Sequence, residues 1–288
     1  MEDSEWSPYC YSSSFDKDIH IRFFQMMCET LPSDYQGQEI NRLTLAYFAI
    51  SGLDILGALD RVLKMLFLVS VYFLILNNFF SSVFGSFMPI HIGAETDLRF
   101  VYCAAAICFM LKNWSGMDRE KAKDYILNCQ SYDGGFGLVP GSESHGGATY
   151  CAVAALKLMG FIEDDLISKS TPSSIINVPL LLEWSLQRQT VDGGIQGRPN
   201  KASDTCYAFW VGGVLRILGA HKFLDSGALH GFLLTCQSQY GGCSKFPGKL
   251  PDLYHSYYGL SAFNLLEESG LKPLCIDLGI SDVVAFGM

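Results

Sequence analysis

The chain has 288 residues, of which 49% are hydrophobic and only 17% charged, so a large buried core is available and little of it reads as disordered. Its net charge of −9 argues against nucleic acid as the main partner, since a phosphate backbone demands a basic face. The ten scattered cysteines contain no C-x-x-C pair, which argues against a zinc knuckle and points to free thiols in a reducing, cytoplasmic setting.

The opening stretch MEDSEWSPYCYSSSFDKD is acidic and polar and lacks the apolar run of a secretory signal. From Met65 to Ile90 the chain reads MLFLVSVYFLILNNFFSSVFGSFMPI with no charged residue, a run long enough to span a bilayer. Asn77, Asn78, four serines, Gly85 and Pro89 leave only Met65–Leu76 strongly apolar. A buried or aberrant segment is therefore the first expectation, and a membrane span the alternative.

Internal repeats organise the rest. The first helical stretch, FVYCAAAICFMLKNWSG, has no glycine loop before it. Then come YILNCQ, the loop Gln130-SYDGGFG and the helix TYCAVAALKLMG. LLLEWSLQRQ, Gln189-TVDGGIQGRP and TCYAFWVGGVLRILG repeat that order, and HGFLLTCQ, Gln237-SQYGGCSKFPG and SYYGLSAFNLLEESG repeat it again. The spacing between the three glutamines is 59 and then 48 residues. Glycine pairs stop a helix and let the chain turn. The unit is thus helix, loop, helix, and the expected fold is an all-α stack of helical hairpins without strands. Periodicity leaves open whether the stack closes into a barrel or stays an open solenoid.

Special residues at the start of each second helix should gather at one end of such a stack. Those starts hold Arg99, His145, Asp204 with Cys206, and His255. A carboxylate, a thiolate and an imidazole make three protein ligands with a fourth position open, the pattern of a catalytic zinc. Taken alone, Asp204 reads equally as a helix N-cap, with Cys206 a small core residue. Arg198 and Lys201 enter the same helix near its positive end and, with His145 and the Tyr207 hydroxyl, form a candidate anion site. Aromatic residues are interleaved with them: Tyr102, Tyr150, Tyr207, Trp210, Tyr257 and Tyr258. Such a stripe suits either a core or a pocket for a long apolar chain attached to a diphosphate.

The segments HIRFFQ, NRLTLAYFAISGLDIL, DLRFVYCAAAICFML, NWSGMD, GSESHGGATYC, GRPNKASDTCYAFW, DLYHSYYGL and LLEESG together resemble the β subunits of protein prenyltransferases, in their geranylgeranyl type I branch. The resemblance implies one α-α barrel (toroid) domain over 1–288, paired with an α subunit shared with farnesyltransferase. It implies transfer of a geranylgeranyl group from geranylgeranyl diphosphate to the cysteine of C-a-a-X proteins ending in Leu or Phe, such as small GTPases. Asp204, Cys206 and His255 then match ligands of one zinc ion, and His145, Arg198, Lys201 and Tyr207 match diphosphate contacts. Arg99, Tyr102 and Trp210 fall in the lipid pocket, with Phe48 in its wall and Thr44 leaving room for the longer lipid. Lys245 matches a lysine that stands where the farnesyl enzymes bind magnesium, so magnesium is not required. Tyr254 departs from the type I pattern and is aromatic, as in the farnesyl enzymes.

Between GLDILGAL and DLRFVYC such proteins carry about a hundred residues; this chain has about forty, most of them the uncharged run. The barrel is therefore expected to be incomplete, with an atypical insert at about 61–95. The alternative to an active subunit is a catalytically impaired splice variant that only binds the α subunit.

Overall fold

The computed structural model describes residues 14–35, 37–38, 41–59, 80–81, 85–88, 96–163 and 175–286. Its helices are α1 (Lys17–Glu29), α2 (Arg42–Ile55), α3 (Leu98–Met110), α4 (Arg119–Asn128) and α5 (Gly146–Leu158). They continue as α6 (Val178–Leu186), α7 (Thr205–Leu218), α8 (Ser226–Cys236), α9 (Leu253–Leu265) and the short α10 (Asp282–Phe286). Burial separates two layers. In α5, 11 of 13 residues are buried, whereas α4 buries only Ala122 and Ile126. The Ala- and Gly-rich helices therefore form an inner layer, α3–α5–α7–α9–α2, each packed on the next, while α1, α4, α6 and α8 cover it. Among the described residues, α2 and α3 end this arc without packing on each other as the other neighbours do.

A polar side chain starts nearly every helix. Asp16, Asp118, Asn177 and Asp225 cap the outer helices, and Asp97, His145, Asp204 and Asp252 cap inner ones. Each cap satisfies amide donors that have no partner within the helix.

The repeated glutamine has a direct physical role. Gln130 accepts a hydrogen bond from the backbone N–H of Asn177 at 3.3 Å, and Gln189 accepts one from Asp225 N–H at 2.9 Å. Gln237 does the same to Asp16 N–H at 3.2 Å, so the last repeat clamps the first helix. Each glutamine thus holds the N-cap of the next outer helix. The glycine that follows completes the joint. A Cβ on Gly134, Gly193 or Gly241 would lie 2.3, 2.4 or 2.1 Å from backbone of Leu180, Ala228 or Ile19, respectively. All three also have positive φ.

The expected absence of strands needs refinement. Two-residue antiparallel pairs join Phe80–Ser81 to Phe87–Met88, Cys243–Ser244 to Pro251–Asp252, and Leu274–Cys275 to Ile280–Ser281. They zip loop necks, where the departing and returning chain lie side by side, and the hairpins themselves are helical. Most of the 61–95 segment and of the 65–90 run lies outside the described residues. Among the described residues, no helix is long and apolar enough to cross a membrane.

Gly193→Ala should combine a strained backbone with a collision against Ala228, at a cost of about 1–3 kcal/mol. Thermal unfolding of this variant beside the unmodified chain checks it; an unchanged midpoint would mean that the joint is not tight.

Candidate metal centre

Two helix starts, fifty residues apart in sequence, build the centre. Asp204 caps α7 by accepting from Cys206 N–H at 3.0 Å, and its carboxylate also faces His255 Nε2 at 3.2 Å. The N-cap role and the ligand role therefore coincide. His255 lies in the first turn of α9 and is held by that helix's own cap. Asp252 accepts from His255 N–H at 2.8 Å and engages Nδ1 at 2.6 Å. His255 Nδ1–H thus donates to the Asp252 carboxylate and Nε2 turns toward Asp204, the carboxylate–histidine arrangement that orients metal ligands. The ligand atoms of Asp204, Cys206 and His255 all lie within 4.8 Å of one another. Across a tetrahedral zinc site with bonds of about 2.0–2.3 Å they would stand roughly 3.3–3.8 Å apart, so a small inward movement suffices. The donor set fits zinc, with one coordination position left for an outside ligand.

The titrating groups of the cluster act strongly on one another. Burial pushes the Cys206 thiol well up, and the neighbouring Asp204 carboxylate pushes it further. Burial works to lower the His255 pKa, but hydrogen bonds to Asp204 and Asp252 outweigh it and raise it to about 9. Burial likewise works to raise Asp204, and the bonds from His255 and Cys206 reverse the direction. At neutral pH the His255 imidazolium thus balances the Asp204 carboxylate. Lys245 adds its charge at 3.6 Å from Asp204. The resemblance sets Lys245 where the farnesyl enzymes bind magnesium, and in the structure it faces this carboxylate of the candidate metal cluster.

Beside the cluster lies a second polar set. His145 caps α5, and its Nδ1 accepts from Gly147 N–H at 3.1 Å. The neutral ring therefore carries its proton on Nε2, which donates to the Tyr207 hydroxyl at 2.9 Å. That leaves the Tyr207 proton free to donate to a ligand. Burial keeps His145 below its ordinary pKa, and Arg198 adds to the effect, so the neutral form holds at pH 7. Arg198 is paired with Glu143 from the preceding repeat, and Arg99 with its helix cap Asp97. Lys201 is exposed, and its backbone N–H is held by Gln196 at 3.2 Å.

A cavity of about 1670 Å³ opens next to these groups. Thr44, Phe48, Arg99, Tyr102 and Trp210 line it, as do His145 and Tyr207. Tyr254 joins its wall, accepting from Trp210 Nε1 at 3.1 Å and packing its ring edge-on to Phe48. Sequence reasoning passed over Asp252, Asp97 and Glu143. Asp252 carried a usable signal, an aspartate three residues before the histidine at a helix start. Glu143 carried none, because its pairing with Arg198 exists only across two loops.

Helical hairpins arranged in this way carry a three-ligand cluster at the starts of the inner helices. The model of the prenyltransferase alpha-alpha toroid domain matches residues 15–78 and 75–280, and the chain belongs to that family. The chain is 52% identical to the geranylgeranyl transferase type-1 subunit beta of Arabidopsis thaliana, over 99% of this chain and 94% of the relative. It is 30% identical to the protein farnesyltransferase subunit beta of Schizosaccharomyces pombe, over 86% of this chain and 78% of that one. Among solved structures, the Candida albicans protein geranylgeranyltransferase-I complexed with GGPP shares the fold with a TM-score of 0.80 at 23% identity, covering 94% of this chain and 97% of that chain. The Arabidopsis alignment runs over 354 residues, at least 66 more than the 288 of this chain, so at least that many aligned positions have no counterpart here.

Asp252→Asn should weaken metal binding about 10–100-fold while leaving the fold intact, read by competition with a chromogenic chelator. The pH dependence follows from His255, whose pKa in the metal-free fold rises from 6.5 to about 9. Its stabilising contribution is complete below the unfolded value and is lost as pH rises through about 9. Metal affinity moves the other way, increasing up to about pH 9 as the competing proton leaves. Metal titrations at about pH 6 and about pH 9, with thermal unfolding of the metal-free protein, check both signs.

Proposed function

We propose that this chain is the β subunit of a zinc-dependent protein geranylgeranyltransferase type I. It pairs with a prenyltransferase α subunit, shared with farnesyltransferase, and acts in the cytoplasm. The reaction moves a geranylgeranyl group from geranylgeranyl diphosphate to the cysteine thiol of proteins ending in C-a-a-X with Leu or Phe last. The observation that carries this reading is the convergence of Asp204, Cys206 and His255 beside the His145–Tyr207 pair, at one large aromatic cavity. A volume of about 1670 Å³ exceeds the usual range for one small ligand, roughly 300–1,000 Å³, which suits a lipid and a peptide bound together.

Asp204, Cys206 and His255 would hold the zinc, which when bound would lower the pKa of the substrate thiol. The peptide sulfur attacks C1 of the lipid; the S–C bond forms as the C–O bond to diphosphate breaks. Tyr207 donates its hydroxyl proton to the departing diphosphate, with its oxygen steadied by His145 Nε2–H. Arg198 and Lys201 neutralise the charge that develops on the leaving group. Lys245 supplies positive charge where magnesium would otherwise serve. Thr44, Phe48, Arg99, Tyr102 and Trp210 enclose the lipid, and Thr44, being small, leaves space for its fourth isoprene unit.

The shorter length relative to the Arabidopsis protein supports a second reading, a catalytically impaired chain that retains only α-subunit binding. Co-expression with an α subunit separates the two. The enzyme reading expects a soluble complex with about one zinc that prenylates a Leu-ending peptide without magnesium. In that complex Tyr207→Phe should slow transfer on the order of 10²-fold with zinc content unchanged. A zinc-loaded complex with no turnover would establish the second reading.

A further inference from the structure

Tyr254, where the sequence departs from the type I pattern, stands between the aromatic cavity and the metal cluster. Its ring meets the His255 imidazole edge-on, with centroids 4.9 Å apart at 83°. On other sides it meets Phe48 of α2 at 5.6 Å and Tyr258, one turn further along α9, at 4.8 Å. Three ring contacts leave the side chain little rotational freedom, so its hydroxyl is held in one place.

That place is beside α7. The hydroxyl accepts from Trp210 Nε1–H at 3.1 Å. Trp210 and Cys206 are four residues apart on α7, so their side chains share one face a single turn apart. The same hydroxyl is hydrogen-bonded to the Cys206 sulfur. Chemistry fixes the direction of both bonds. An indole N–H only donates, so the tyrosine oxygen is its acceptor and the tyrosine proton is left for the sulfur. Two hydrogen bonds in series thus run from the cavity wall to a candidate metal ligand, and each strengthens the other. The other two ligands are steadied in comparable ways, His255 by Asp252 and Asp204 by the Cys206 N–H.

We propose that Tyr254 is a positioning residue for the metal cluster: its hydroxyl, oriented by Trp210, donates to the Cys206 thiolate and draws charge off the sulfur. This rests on the zinc site of the proposed function above. A thiolate that shares a lone pair with a proton donor gives less charge to the metal it binds. The metal is then the stronger Lewis acid toward an incoming thiol. Phenylalanine at position 254 keeps the ring contacts and loses this effect, so packing and hydrogen bonding can be separated.

The experiment loads the α/β complex with cobalt(II), whose sulfur-to-metal charge-transfer absorption reports the charge on the Cys206 sulfur. Tyr254→Phe should move that absorption to longer wavelength, because a sulfur relieved of its donor gives up an electron more easily. A merely structural role would lower the amount of cobalt bound and leave the wavelength where it was. Trp210→Phe removes only the bond that orients the hydroxyl. It should move the absorption the same way by a smaller amount, and it carries the test if Tyr254→Phe does not fold. An unchanged wavelength in the folded variants would overturn the role of Tyr254 and leave the proposed function standing. An unmodified complex without any sulfur-to-cobalt absorption would overturn both, since Cys206 would then not be a ligand.

Discussion

A single amide contact recurs at three joints among the described residues: a glutamine side chain holding the backbone N–H that begins the next outer helix. Gln130 does this for Asn177, Gln189 for Asp225 and Gln237 for Asp16. The glycine four residues on then lies against the backbone of that same helix, too close for any side chain. The two contacts set both the spacing and the rotation of successive hairpins, so each inner helix starts in an equivalent place. In the third case the partner is the N-terminal helix, which puts the two ends of the repeat array in register.

The chemistry follows from that register. First turns of neighbouring inner helices face one another, so Asp204 meets His255, and His145 meets Tyr207, 62 residues away in sequence. Helix starts also concentrate unpaired amide donors and partial positive charge, which favours anions and ordered carboxylates. Asp204 and Asp252 exploit this twice. Each carboxylate caps its helix with one contact and serves the metal cluster with another. Anchoring the ligands by the fold in this way reduces the conformational freedom lost when a metal binds.

The residues expected to form the cavity do so, but with divided tasks. Phe48, Trp210 and Tyr254 present their rings to it, whereas Tyr102 spends its hydroxyl on the C-terminal turn. The aromatic stripe is at once core and pocket, because the core of this molecule surrounds the space that the ligand would fill. The three candidate metal ligands lie within 204–255, where every residue is described.

Sequence by itself determined the repeat unit, the all-α class and the short set of polar residues that can do chemistry. It did so because helical periodicity, glycine pairs and capping residues act locally, within one hairpin. Equivalent positions in a repeat drew Asp204, Cys206 and His255 together as candidates, and the resemblance to prenyltransferase β subunits was needed to favour metal ligands over cap and core residues. Tertiary structure alone decided that Arg198 is paired with Glu143, that Asp252 orients His255, and that four tyrosines grip one turn near the C-terminus. Those contacts join loops and helices far apart in the chain, where side-chain direction and loop path set the partner and no local pattern records it.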